Sequence, residues 1–315
     1  MLAVYLERGV VELRDVPVPV PPPGFALIRL VCAGICNTDL ELQRGYYGFA
    51  GIPGHEFVGV VEQGPGELTG KRVVGEINLA CGTCEWCARG LGRHCPNRTV
   101  LGIAGHPGAF AEYLTLPIPN LHVVPDALAT ERAVFTEPVA AACEILDQVD
   151  MPAGVPVAVL GDGKLGLLAA QVLAAHGADV SLYGHHPERA RMAGVMPGSE
   201  GKTFDFVVEA TGSPDGLRQA IAMTRPRGTV IMKSTVHGDV AFDTARAVVN
   251  EITLIGSRCG RFGPALTLLL RGAVRVDDMI ADRYALGDAP RAFARAATPG
   301  ALKVLLYPDK RGFER

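Results

Sequence analysis

Val155-Pro156-Val157-Ala158-Val159-Leu160 runs directly into Gly161-Asp162-Gly163-Lys164-Leu165-Gly166. A short apolar, Val-rich run that ends in glycines reads as a buried strand followed by a tight turn. The next residues, up to His176, are rich in Leu and Ala and read as a helix, with Gly177 as its C-cap. Strand, glycine turn and helix in that order predict the first unit of a doubly wound parallel sheet built to hold a dinucleotide. Gly161 makes the turn, Gly163 lets the backbone approach a pyrophosphate, and Gly166 lets the helix pack close to the strand. The amides that open the helix, around Lys164 and Leu165, bind the phosphates.

Downstream, residues 180–183 form the second strand. A site for NAD wants an acid at the end of that strand, to take the ribose diol. The chain has Gly184-His185-His186-Pro187-Glu188-Arg189 there, and Asp179 lies at the wrong end. With no carboxylate at Gly184, nothing repels a 2′-phosphate, and His185, His186 and Arg189 offer donors to one. NADP is therefore expected over NAD. Only twenty residues, 184–203, precede the next strand at 204–209. One helix fits in that interval, but a further strand with its own crossover does not. The edge strand of this half is expected to be missing or vestigial. Thr211, just past strand 204–209, falls where a nicotinamide ribose lies. Residues 228–233 and 252–255 supply later strands, and residues 302–306 a last one. Lys303 in that last strand either reaches the cofactor phosphates or is simply solvated.

Upstream, Gly and Pro punctuate short β-rich runs every eight to twelve residues (10–16, 25–32, 56–62 and 71–77), which predicts a partly open barrel. Between these runs stand Cys36-Asn37-Thr38 and Gly54-His55-Glu56. Thiolate, imidazole and carboxylate are zinc ligand types, and a catalytic zinc keeps three protein ligands and one open position. An alcohol at that position becomes far more acidic. Cys36 and His55 supply two ligands; Glu56 or Glu137 supplies the third. A thiolate and one carboxylate neutralise Zn²⁺, whereas a second carboxylate would leave the site anionic, so one glutamate is expected on the metal and the other behind a water. Thr38 passes the alcohol proton outward. Tyr46, Tyr47 and Phe49, between the ligands, either wall a pocket or pack on the domain. Glu137 opens a helix over residues 137–147, where the dipole favours a carboxylate.

Cys81, Cys84, Cys87 and Cys95 fall within fifteen residues. Four sulfurs at this spacing fill a tetrahedron and leave no open position, which predicts a structural zinc that folds a small lobe, the alternatives being an iron–sulfur cluster or redox thiols. Cys32 and Cys143 read as core.

A chain of 315 residues exceeds what one core usually supports, so two domains are expected. The boundaries are placed at 1–150 with 257–315 for the zinc-binding domain and 151–256 for the dinucleotide domain. With a formal charge of −3 there is no electrostatic case for nucleic acid or an anionic membrane. The first eight residues carry no apolar signal core, so export is not expected and the cytoplasm is.

Cys36 with Thr38, Gly54-His55-Glu56, the four-cysteine lobe, Glu137-Pro138, the glycine turn and the late strand occur in one order. In that order the chain resembles the zinc-dependent medium-chain dehydrogenase/reductase family over nearly its whole length. His55-Glu56 and the Glu-Pro pair look most like its sorbitol, threonine and glucose dehydrogenase branch. The resemblance implies a GroES-like catalytic domain, split around a Rossmann domain, with the active site in the cleft between them. It implies catalytic zinc on Cys36, His55 and a glutamate, structural zinc on Cys81, Cys84, Cys87 and Cys95, a proton relay at Thr38 and a basic cofactor contact at Lys303. A homodimer or homotetramer, built by extending the cofactor sheets, is implied as well. Glu41 stands where many members carry a histidine. The activity implied is oxidation of a secondary alcohol or polyol to the ketone. Alternatives are an NADPH-dependent aldehyde or ketone reductase, or a zinc-stabilised nucleotide-binding redox sensor without turnover.

Overall fold

A computed structural model describes residues 1–236 and 239–312. The chain divides into two compact units: Met1–Glu137 together with the chain from Met279 onward, and Pro138–Asp278.

The first unit is built on a seven-stranded sheet. Its order is Leu121–Val123, Arg72–Gly75, Glu56–Gln63, Phe25–Ile35, Lys303–Tyr307 and Ile280–Ala285, and Tyr113–Pro117 also pairs with Phe25–Ile35. A smaller sheet joins Val10–Asp15, Leu2–Glu7 and Ala50–Gly51. This mostly antiparallel arrangement is the expected partly open barrel. Phe25–Ile35 is its spine: it pairs with three other strands, and its interior positions are almost all buried. Register decides what meets at its end. Gly34 pairs with Glu56, and Ile35 pairs with Val304. Three segments far apart in sequence thereby bring Cys36, His55-Glu56 and Lys303 to one end of one sheet.

The second unit is a six-stranded parallel sheet. Its order is Met196–Pro197, Asp179–Tyr183, Pro156–Leu160, Phe204–Glu209, Thr224–Met232 and Thr253–Gly256. That order is the doubly wound one, with the strand before the glycine turn near the centre. Ala158, Leu160, Val207 and Val230 pack with Ala220 and Ile221 of the helix Pro214–Met223. The edge strand, Met196–Pro197, is two residues long, as the short interval before Phe204 requires.

Residues 257–278 lie with this second unit, whereas the sequence placed the return at 257. The backbone at Gly260 runs against the helix Thr136–Gln148, so close that a Cβ there would sit 1.9 Å from the Ala140 carbonyl oxygen. Arg261 grips Asp147 of the same helix through two bonds of 2.9 and 2.6 Å. Gln171 exchanges two bonds with the Arg275 backbone, at 3.1 and 2.7 Å. These side-chain bonds are tertiary, and nothing in the pattern of residues 257–278 announces them. Among the described residues no helix is long and apolar enough to cross a membrane.

Candidate active site

Cys36 directly follows the spine strand and is the N-cap of the helix Asn37–Gln43. Glu56 begins the neighbouring strand, and His55 immediately precedes it. Their ligand atoms, with the Cys36 sulfur, all lie within 4.8 Å of one another. Glu137 is not in this group, so the geometry gathers Glu56 as the third donor. The Thr38 hydroxyl lies 3.7 Å from Cys36 Sγ, beside the donor set.

Two atoms here are buried without a hydrogen bond: His55 Nδ1 and Glu56 Oε1. Native proteins rarely leave such atoms bare; His55 Nδ1 faces Asp39, and a cation would satisfy Glu56 Oε1. Charge gives the same answer. Burial opposes a positive His55, yet the charges of Asp39 and Cys36 hold its pKa well above 6.5. Burial likewise opposes a positive Lys303, and Glu56, Cys36 and Asp39 raise it above 10.5. Both groups respond to a surplus of negative charge that a dication would offset. The residues present fit a zinc ion.

Two residues support the donors, one not singled out in the sequence and one read there for another role. Asp39 is fully buried. One of its oxygens accepts from the Cys36 backbone N–H at 2.8 Å and the other from the Gly54 N–H at 3.2 Å. That second oxygen stands 3.5 Å from His55 Nδ1, too far for a good bond. With Nδ1 turned to Asp39, Nε2 is the nitrogen left for a metal. The available signal was an acid three residues after a helix N-cap, which fixes the chain entry at Cys36. Lys303 is the other. The sequence offers cofactor phosphates or plain solvation for it, but it is 1% exposed in the first unit and donates to Glu56 Oε2. The register that sets it beside Cys36 is a tertiary fact. Tyr46 and Tyr47 stack on each other at 4.1 Å, and Tyr47 is 70% exposed.

The four-cysteine lobe is pre-shaped. Sulfur separations are 3.5 Å for Cys84–Cys87 and Cys81–Cys95, 3.6 Å for Cys84–Cys95 and 3.9 Å for Cys81–Cys87. Zn–S bonds of about 2.3 Å in a tetrahedron put sulfurs about 3.8 Å apart. Amides of Thr83 and Cys84 lower the Cys81 pKa to about 5, so a thiolate is present near neutral pH. Burial and the Cys84 sulfur push Cys87 up to about 12, because the cluster titrates as a unit and its neighbours take the first charge. Cys32 and Cys143 are buried as expected.

In the second unit, Gly163 is the N-cap of the helix Lys164–His176, whose first amides have no acceptor within the helix itself. A Cβ at Gly166 would meet the Gly161 carbonyl oxygen at 1.8 Å, so only glycine permits this approach. Thr211 follows Phe204–Glu209, and its hydroxyl donates to the buried Glu209 at 2.6 Å. Lys233 is the unread residue of this region. The residue is 8% exposed, and its ammonium donates to the Ala141 and Arg258 carbonyls and the Ser257 hydroxyl, at 2.6, 3.0 and 3.1 Å. It ties the segment after the last strand to the helix Thr136–Gln148.

Comparison with known proteins agrees with this geometry. Residues 22–126 match the alcohol dehydrogenase GroES-like domain, and residues 196–271 match the zinc-binding dehydrogenase domain. The chain is 33% identical to L-threonine 3-dehydrogenase of Streptomyces avermitilis, over 93% of this chain and 95% of that protein. It is 28% identical to sorbitol dehydrogenase of Halalkalibacterium halodurans, over 95% and 96%. Alcohol dehydrogenase TADH from Thermus sp. ATN1 superposes with a TM-score of 0.89 and 31% identity, covering 98% of this chain and 99% of that one. The chain belongs to the zinc-dependent medium-chain dehydrogenase/reductase family and is an oxidoreductase of its alcohol and polyol dehydrogenase class.

Proposed function

We propose that this enzyme interconverts a secondary alcohol or polyol and the corresponding ketone, with Cys36, His55 and Glu56 as the zinc ligands. The observation that carries the assignment is the gathering of these three donors within 4.8 Å, with Glu56 Oε1 buried and unbonded among them. When bound, zinc would acidify the substrate hydroxyl, and the nicotinamide would take the hydride from the carbon that bears it.

This chain's own residues supply the rest. Thr38, 3.7 Å from the Cys36 sulfur, is the hydroxyl that accepts the substrate proton and hands it on. Asp39 holds the backbone at Cys36 and Gly54 and faces the His55 ring, which fixes two donors at once. Thiolate and Glu56 balance a dication, and Lys303 balances Asp39, so the buried assembly is near neutral and favours loss of the substrate proton. The four-cysteine lobe takes no part in the chemistry. The cradle of Gly161, Gly163 and Gly166 takes the dinucleotide. The branch to which the relatives belong, polyol and amino-alcohol dehydrogenases, points to a substrate with neighbouring polar groups.

The test is zinc content per chain, joined to absorbance at 340 nm with a panel of secondary alcohols and polyols. Two zincs and turnover are expected for the wild type; Cys36→Ser should keep one zinc and lose turnover. Unchanged turnover in Cys36→Ser would remove the assignment. Dinucleotide binding without turnover on any substrate would favour a redox sensor instead.

A further inference from the structure

The strand Asp179–Tyr183 is followed by Gly184 where an NAD site carries an acid, yet a carboxylate is present at that place. It comes from Asp162, in the glycine turn of the neighbouring strand. A Cβ built on Gly184 would lie 2.2 Å from Cγ, 2.4 Å from Cβ and 2.6 Å from Oδ2 of Asp162. The Asp162 side chain thus fills the volume in which a side chain at 184 would begin. An acid at 184 and Asp162 in this rotamer exclude each other, and glycine is what the crossing requires.

The carboxylate is held in place. The His186 backbone N–H donates to Oδ2 at 2.6 Å, and Arg189 Nη1 donates to the Asp162 carbonyl oxygen at 2.8 Å. Asp162 is only 7% exposed. The first bond commits Oδ2 to the protein and leaves Oδ1 outside it. The second turns the Arg189 guanidinium, a candidate phosphate donor by sequence, toward the turn's own backbone.

We propose that Asp162 reads the adenosine ribose of the dinucleotide and selects NAD(H) over NADP(H). Its carboxylate accepts from the ribose 2′-hydroxyl in a charge-assisted bond and repels a phosphate at the same oxygen. The opposite preference, expected from the sequence, assumed that no carboxylate stands at the end of this strand. The inference rests on the cradle around Gly161 being the dinucleotide site.

Titration of the zinc-loaded protein with NADH and with NADPH, followed by nicotinamide fluorescence, tests it. The wild type should bind NADH at least tenfold more tightly, which is about 1.4 kcal/mol. Asp162→Asn should cut that ratio at least about fivefold, mainly by tightening NADPH. Gly184→Ala is the second variant. Its new methyl displaces the Asp162 side chain without altering any charge, and it should shift the ratio in the same direction. A ratio that both variants leave within about twofold of wild type overturns the assignment, as does a wild type that prefers NADPH. Failure to bind either dinucleotide overturns the cofactor reading of the cradle, and the assignment with it.

Discussion

Lys303 and Glu56 form an ion pair across 247 residues of chain, and both side chains are 1% exposed. The pair binds the last strand of the first unit to the donor set. It also leaves Glu56 with one oxygen on Lys303 and the other, Oε1, unbonded. A carboxylate so divided is fixed in orientation on one side and open to a cation on the other.

Breaking that pair from one side leaves a buried charge without its partner, which typically costs about 3–5 kcal/mol. Lys303→Met is expected to lower stability by that order in urea unfolding of chelator-treated protein. The double variant Lys303→Met with Glu56→Gln should recover most of the loss. A single variant as stable as wild type would show that Glu56 does not depend on Lys303.

Asp39 touches two donors through the backbone at Cys36 and Gly54 and through the ring of His55. Groups that orient metal-bound histidines typically contribute about 10- to 100-fold in metal affinity. Asp39→Asn keeps the shape and removes the charge. Zinc affinity at the Cys36 site, measured by chelator competition, should fall within that range while the four-cysteine lobe keeps its metal. Equal loss at both sites would mean general destabilisation.

The lobe around Cys81–Cys95 has little apolar core, and its sulfurs already stand at tetrahedral separations. Zinc binding in such small domains is folding free energy, on the order of 10–16 kcal/mol. Cys84→Ser should leave one zinc per chain and open the lobe to trypsin at the exposed Arg89. Wild-type resistance to trypsin in that variant would show that the lobe folds without its metal.

What the sequence reveals here follows from range. Cys36, His55-Glu56 and the four cysteines are legible because their side-chain chemistry is specific whatever surrounds it. The glycine turn is legible because strand, turn and helix are contiguous. Lys303 is not, because its place beside Cys36 depends on the Val304–Ile35 pairing, which joins the two ends of the chain. Asp39 looks like any acid in a first helical turn. Asp162 escapes because its meaning lies in a side chain that crosses to the next strand and fills the space Gly184 leaves. Lys233 stands in the sequence only as the end of a strand, whereas three acceptors from two other segments enclose it. Lys303, Lys233 and Asp162 are polar groups whose partners are distant in sequence.

His106 carries a pH dependence independent of the metal sites. Burial lowers its pKa below 6.5, and a bond of 2.8 Å between Nε2 and the Thr115 carbonyl oxygen offsets this in part. In the window between the lowered folded value and 6.5, the unfolded chain binds more protons than the folded one. Stability from this residue is therefore intact above about pH 6.5, falls as pH drops through the window, and levels off below the folded value. His106→Gln keeps a donor for Thr115 and removes the titration. Thermal midpoints measured from pH 7.5 to 5.5 should fall more steeply for wild type than for His106→Gln. Parallel curves would show that His106 takes up its proton equally in both states.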